Sequence, residues 1–259
     1  MGSPPTPVAI YDRAIEEGNR RLEQSFLELV GTSFLAGLTI VFGVVALGIV
    51  ESIVEPQFGG VAKLAGALAF GVGLVFLVVG RTELFNENFS DPAAAAIERS
   101  DSWLLGPLLR LWSLTFAFNL AGGCLFAFVF AVDGALPPGA GESLAHYATA
   151  TAERGARTWF ARGIAGGALL SLLSFLLVAV DGDPSRIALA YVVGVLLALG
   201  PFDHVVVTVL HLFVGVLYGA DVGLGTVLWL TIVVTAGNLV GGLGLVTFTH
   251  AAQARGARD

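Results

Sequence analysis

The chain has 259 residues, 56% of them hydrophobic and only 13% charged, with a mean hydropathy of +0.83 and a formal charge of -7. A soluble domain carries about 25% charged residues, so this composition excludes an ordinary water-facing surface, and disorder is excluded because it requires low hydrophobicity. The single cysteine, Cys124, leaves no internal disulfide or cysteine metal cluster, and the lack of a basic stripe argues against nucleic acid as a partner. The partner that such a chain demands is the lipid bilayer.

Residues 1–28 contain no apolar core, so a signal peptide is not expected. Pro4, Pro5 and Pro7 favour extended chain, and a helical pattern begins near Ile10. Ile15, Leu22, Phe26 and Leu29 fall near one face, away from Arg13, Glu17, Arg20 and Arg21. An interfacial amphipathic helix is predicted there, outside a transmembrane domain of residues 29–250 and followed by a tail of residues 251–259.

Uncharged runs locate the crossings: Leu29–Val50, Leu64–Gly80, Leu111–Val132, Gly163–Val180, Ile187–Phe202 and Val222–Thr249. A helix needs about 20 residues to cross the hydrocarbon core, and about 17 at the short end. The second and fifth runs, of 17 and 16 residues, only approach that length. Both lead into polar, turn-like stretches, Gly80–Asn88 and Gly200–His204. They read as broken spans within a bundle of six.

Basic residues set the orientation. Arg13, Arg20, Arg21, Arg81, Arg99, Arg110, Arg186, Arg255 and Arg258 fall on one side, against Lys63, Arg154, Arg157 and Arg162 on the other. Both termini are therefore expected in the cytoplasm of a prokaryotic cell, with the chain a multi-pass protein of the plasma (inner) membrane.

The third and sixth spans share an Asn-Leu-x-Gly-Gly motif, beginning at Asn119 and at Asn238. Glu83 precedes the first by 36 residues and Asp203 the second by 35. Three spans per half make the halves inverted: repeat 1 over about 29–132, repeat 2 over about 158–250. Interrupted spans at matching places in inverted halves mark a transport pathway, because unpaired backbone survives at membrane depth only inside protein or beside a cavity. Half-helices starting at such breaks turn positive dipole ends inward, which suits an anion.

With these motifs in view, the sequence resembles the formate/nitrite transporter family. Thr82-Glu83-Leu84-Phe85, Phe202-Asp203-His204, the two Asn-Leu-x-Gly-Gly motifs and Ser33-Phe34-Leu35-Ala36-Gly37 carry the likeness. It implies an all-α, aquaporin-like six-span fold of two inverted three-helix repeats with two broken helices, assembled as a homopentamer with a pore in each subunit. It implies transport of small monovalent anions such as formate, nitrite, hydrosulfide or lactate, with no organic cofactor. His204 matches the central pore histidine of the family. Leu84, Phe85, Phe70 and Leu74 match its apolar constrictions, and Leu197 stands where some members have phenylalanine. Asn86 occupies the place of a threonine that hydrogen-bonds the histidine, a bond an amide can also make.

Two departures accompany the likeness. The family's vestibule lysine would fall near Thr151, leaving Arg154 or Arg157 as the nearby cations, and its fourth-span asparagine is replaced by Gly167. Glu83 and Asp203 are read as anchors that accept loop N–H groups, and Asn119 and Asn238 as braces of the breaks. His211 lies about two helical turns beyond His204 and is read as structural, as are His146, His250 and Cys124. No nucleophile–base pair, metal-ligand cluster or nucleotide loop is visible, so neither an enzyme nor a metal site is expected.

Carrying a bare carboxylate through an apolar constriction risks tens of kcal/mol of desolvation. Protonating an acid of pKa near 4 at pH 7 costs about 4 kcal/mol. Passage as the neutral acid with a coupled proton is therefore expected, with His204 as the group beside it. The alternatives are an aquaporin-like channel for neutral solutes, against which the absence of Asn-Pro-Ala argues, and a non-transporting membrane scaffold or sensor.

Overall fold

The computed structural model describes residues 5–99 and 104–258, and every regular element among them is helical. Pro4 lies outside the described residues. Extended chain at Thr6 leads into α1 (Pro7–Glu23), where Thr6 Oγ1 accepts from the N–H of Ala9 and Pro7 sits in the first turn. α2 (Phe26–Phe58) follows behind a Ser25 cap.

α3 (Val61–Val79) stops for a backbone reason. Arg81 takes a left-handed φ of 50°, and the N–H groups of Arg81 and Thr82 turn back to the carbonyls of Val78 and Leu77. This is a Schellman termination built on a non-glycine residue. Non-helical chain at Thr82–Leu84 is followed by a single 3-10 turn, Phe85–Asn88, and by the half-helix α4 (Ser90–Glu98). α5 (Leu105–Phe130) completes the first half, and α6 (Ala140–Ala152) is a short helix before the second.

In the second half α7 (Ala156–Ala179) crosses, and α8 (Asp183–Leu199) ends at Gly200, where Pro201 cannot continue the ladder. Extended chain at His204 then starts α9 (Val205–Leu217). α10 (Leu224–Leu239) runs through a π-helical stretch, Val240–Thr247, into α11 (Phe248–Gly256) as one continuous rod. Among the described residues five helices are long and apolar enough to cross alone: α2, α3, α5, α7 and the α10–α11 rod. With the broken pairs α3–α4 and α8–α9 each counted as one crossing, the six expected crossings are present.

The two halves pack by the same contacts. Asn119 on α5 meets Gly37 of α2, and Asn238 on α10 meets Gly167 of α7; a Cβ at either glycine would collide with the asparagine backbone. That explains Gly167, because a larger residue there would force α7 and α10 apart. The Gly237-x-x-x-Gly241 face likewise lies on the backbone of α7 at Phe160 and Ile164.

The pseudo-symmetry extends beyond the membrane-spanning helices to α1, expected as an interfacial helix outside the membrane domain, and to α6. α1 packs against half-helix α4, with Gly18 against the backbone of Asp91, and α6 packs against half-helix α9, with Ala148 against Gly215. Each half therefore includes a short helix that buttresses its broken span. Residues Tyr11, Ala14, Gly18 and Leu22 form the buried stripe of α1. α1 also contacts α11, so both described ends of the chain lie at one end of the bundle.

Burial alone would raise the Glu17 carboxyl of α1, but hydrogen bonds from Arg20 and the charge of Arg21 outweigh it and hold the group at about 2. A depressed folded-state value stabilises above the ordinary value of 4.5 and is lost as pH falls through about 2. The melting-temperature difference between wild type and Glu17→Gln is accordingly expected to be constant above about pH 4.5 and to shrink towards pH 2. A difference that does not change with pH would show that Glu17 stabilises through packing alone.

Candidate functional site

Each break is stitched by one asparagine. Asn119 Oδ1 accepts from the N–H of Phe85 at 3.0 Å, while its Nδ2 donates to the carbonyls of Glu83 at 2.9 Å and Ser33 at 2.8 Å. Asn238 Oδ1 accepts from the N–H of Val205 at 2.9 Å, and its Nδ2 donates to the carbonyls of Asp203 and Gly163, both at 2.7 Å. Both side chains are fully buried. The backbone polarity that each break would otherwise leave in an apolar interior is met by these amides.

The two carboxylates have a different role from accepting loop N–H groups. Glu83 takes Gln24 Nε2 and Arg20 Nη2, each at 3.2 Å, with Arg21 at 3.7 Å. Asp203 takes Arg162 at 3.1 Å and Arg154 at 3.3 Å. Each asparagine takes one loop N–H, and the N–H groups of Glu83 and Asp203 go to the carbonyls of Thr32 and Arg162. The two acids instead tie the breaks to arginines of α1, of α7 and of the turn after α6. Arg154 thus sits on Asp203, and Arg157 is exposed with no ion pair among the described residues.

Arg21 is the hub at the end of the bundle that carries the termini. It donates to the carbonyl of Glu87 at 2.8 Å, Asn88 Oδ1 at 3.2 Å and Glu17 at 3.0 Å, and lies 3.6 Å from Asp91. Ser174 of α7 also donates to Asp91, at 2.7 Å. Beside this network is a cavity of about 270 Å³ bordered by Arg20, Arg81, Glu83, Glu87 and Arg186. It reaches the edge of the first break from that end.

Between the breaks the interior is apolar and closed. Phe70, Leu74, Leu84, Phe85 and Leu197 belong to one contiguous cluster, none more than 6% exposed. Phe85 makes edge-on contacts with Phe89 at 4.9 Å and Phe116 at 5.2 Å.

His204, 1% exposed, is the N-cap of α9. Its Nδ1 accepts from the N–H groups of Val206 at 3.1 Å and Val207 at 3.4 Å. An acceptor at Nδ1 puts the proton of the neutral ring on Nε2, and that N–H has no partner among the described residues. The expected bond from Asn86 is not made: both amide atoms of Asn86 are also buried without a partner. In the opposite half the matching position is Leu84, which precedes the 3-10 turn as His204 precedes α9. The site is therefore asymmetric in chemistry although symmetric in backbone.

Two features here went unseen in sequence. His211 on α9 stacks on Tyr147 of α6 at 4.5 Å and on Phe70 at 5.8 Å. The π-helical stretch packs Gly242 against Phe89 and Ser171, and Thr247 Oγ1 returns to the Gly242 carbonyl at 2.9 Å. An extra residue per turn is a common device beside functional sites. Thr151 is fully buried, its hydroxyl unpartnered, and its carbonyl accepts from Trp159 Nε1 at 2.9 Å.

Two inverted, interrupted crossings around a closed apolar core, with the buried imidazoles of His204 and His211 against it, define a membrane transport protein of the broken-helix type. Residues 8–252 match the family described as formate/nitrite transporter. Inner membrane protein YfdC of Escherichia coli is 24% identical over 257 residues, covering 97% of this chain and 80% of that one. A probable formate transporter of Methanothermobacter thermautotrophicus is 28% identical over 238 residues, covering 83% and 84%. Among solved structures, an FNT family ion channel superposes with a TM-score of 0.83 at 18% identity, covering 94% of this chain and 98% of that one. A pentameric formate channel with formate bound superposes at 0.69 with 19% identity, covering 92% and 98%. The chain belongs to the formate/nitrite transporter family, and is a multi-pass membrane transport protein for small monovalent anions.

Proposed function

We propose that the protein passes formate-like weak acids as neutral molecules, coupled to a proton, through the constriction of Phe70, Leu74, Leu84, Phe85 and Leu197 and past His204. The observation that carries this reading is the buried Nε2–H of His204, a lone donor held by its Nδ1 bonds at the edge of an apolar core. A neutral acid can accept from it through a carboxyl oxygen, at far lower desolvation cost than its anion incurs in that core. Asn86 adds an unpartnered amide in the first break for the same cargo.

The anchors Glu83, Asp203, Asn119 and Asn238 hold the two breaks, and Thr151, Arg154 and Arg157 belong to the mouth at the end opposite the termini. The membrane domain spans 29–250, flanked by 1–28 and 251–259. The basic residues support both termini in the cytoplasm, with the plasma membrane as the site. A homopentamer is proposed from the likeness to the pentameric formate channel. The exposed Leu, Phe and Ile side chains of α2, α5 and α10 offer apolar surface to lipid and to neighbouring subunits.

Proteoliposome uptake of formate, nitrite, hydrosulfide, lactate and glycerol tests the proposal. Formate uptake is expected to accelerate as external pH falls, and His204→Phe to reduce it at least about a hundredfold, a loss of about 2.7 kcal/mol, with the oligomer intact. Uptake set only by anion concentration and voltage would reject proton coupling. Passage of glycerol in preference to the acids would favour a neutral-solute channel.

A further inference from the structure

Nδ1 of His211 lies 3.1 Å from the carbonyl of Val207, one turn earlier on α9. A carbonyl only accepts, so the ring proton sits on Nδ1 and Nε2 is a bare lone pair, buried and without a partner. His211 is thus the chemical complement of His204, whose Nε2 carries the proton. Both belong to α9 and its cap, seven residues and about 10 Å apart along the axis, on nearly the same face.

The surroundings of His211 form a built site. Tyr147 stacks on one side of the ring and Phe70 of the constriction contacts it on another. Thr151, one turn beyond Tyr147 on the same face of α6, brings a second buried polar atom without a partner. Tyr147 and Arg154 are the nearest titratable and charged groups, with the Arg154 guanidinium 6.0 Å from the Tyr147 ring. Behind Arg154 stand Asp203, to which it is paired, and Arg162 on the same carboxylate. α5 meets α9 through Gly123 on Leu210 and Phe128 on Phe213, α10 carries no titratable residue, and the α2 acid Glu51 is bonded by Ser143.

We propose that His211, with Thr151 one turn beyond its stacking partner Tyr147, is a second proton-exchange station for small monocarboxylic acids, on the side of the constriction away from the termini. The inference rests on passage as the neutral acid. A proton from the outer solution adds to the Nε2 lone pair, and the imidazolium so formed pairs with an incoming carboxylate. The Nε2–H bond then breaks, its electron pair staying on nitrogen, while an O–H bond forms on the carboxylate. The neutral acid moves past Phe70 to His204, whose N–H it meets as an acceptor. In the reverse direction the bare Nε2 receives the acid's proton. Arg154, held on Asp203 rather than free in the mouth, contributes positive potential that draws the anion in without being able to give up a proton.

Formate uptake into proteoliposomes across external pH 4 to 7.5 tests this in His211→Asn and His211→Gln. Asparagine retains a donor for the Val207 carbonyl but lacks Nε2, and glutamine retains a polar but non-titrating group. Both variants are expected to lose at least about tenfold at pH 6 to 7.5 and to approach wild type near pH 4, where the bulk solution supplies acid already protonated. A loss of equal size at every pH would assign His211 a structural role, and unchanged profiles in both variants would remove it from the pathway. If wild-type uptake itself ignores external pH, the neutral-acid reading fails first, which separates the two failures.

Discussion

Asn238→Ala is expected to lower stability by at least about 3 kcal/mol, and Asn119→Ala by a similar amount. Each amide satisfies three buried backbone groups, one N–H and two carbonyls. Leaving a buried polar group unmet costs about 1–3 kcal/mol, and alanine also leaves the volume of the amide empty. Water cannot replace the lost bonds cheaply, because a glycine backbone of α2 or α7 closes the space beside each asparagine. Aspartate at 238 would keep the acceptor for Val205 but lose both donors and bury a charge beside carbonyl oxygens, so it should be worse than alanine. Thermal unfolding in detergent, with size-exclusion chromatography of the oligomer, measures these effects. The two alanine variants should combine additively, since their partners lie in different halves. Losses below about 1 kcal/mol for both would mean that the breaks hold themselves.

The same asparagines show what was legible in the sequence. Asn-Leu-x-Gly-Gly occurs twice at matching distances from a polar interruption, and a repeated local string needs no knowledge of the fold to be noticed. The interruptions were legible because charge and Pro or Gly stand out against apolar runs. His204 followed from the same contrast. The buttressing by α1 and α6 was not visible, because it depends on pairs distant in the chain: Arg21 with Asp91, and Arg154 with Asp203. No periodicity carries such pairs. The π-helical stretch was hidden for a different reason: Val240–Thr247 is apolar and glycine-rich, so it has no polar face from which a period could be counted. The state of each histidine also lay beyond sequence. His204 and His211 are the same residue type on one helix, and only the partner of Nδ1, two N–H groups in one case and a carbonyl in the other, makes one a donor and the other an acceptor.

Arg21→Met is expected to cost about 3–5 kcal/mol and to free α1 from the first break. The guanidinium is only 11% exposed, against 3% for Glu83 and 0% for Asp91. Removing one partner of a buried ionic group leaves uncompensated charge, here chiefly on Asp91, since Glu83 keeps Arg20 and Gln24 at 3.2 Å. It also removes the donor to the Glu87 carbonyl. Arg20 cannot take over, since its side chain is half exposed and already shared between Glu17 and Glu83. The variant should therefore expose residues 7–23 to protease in the folded oligomer and lower the melting temperature. Adding Glu83→Gln and Asp91→Asn to Arg21→Met removes the stranded charges, and is expected to recover most of the stability without restoring protection of α1. That split separates two effects: charge balance sets the energy, while the guanidinium positions the helix over the cavity. If the triple variant regained a protected α1, packing of Tyr11, Ala14, Gly18 and Leu22 would be sufficient to dock it, and Arg21 would serve only to neutralise its neighbours.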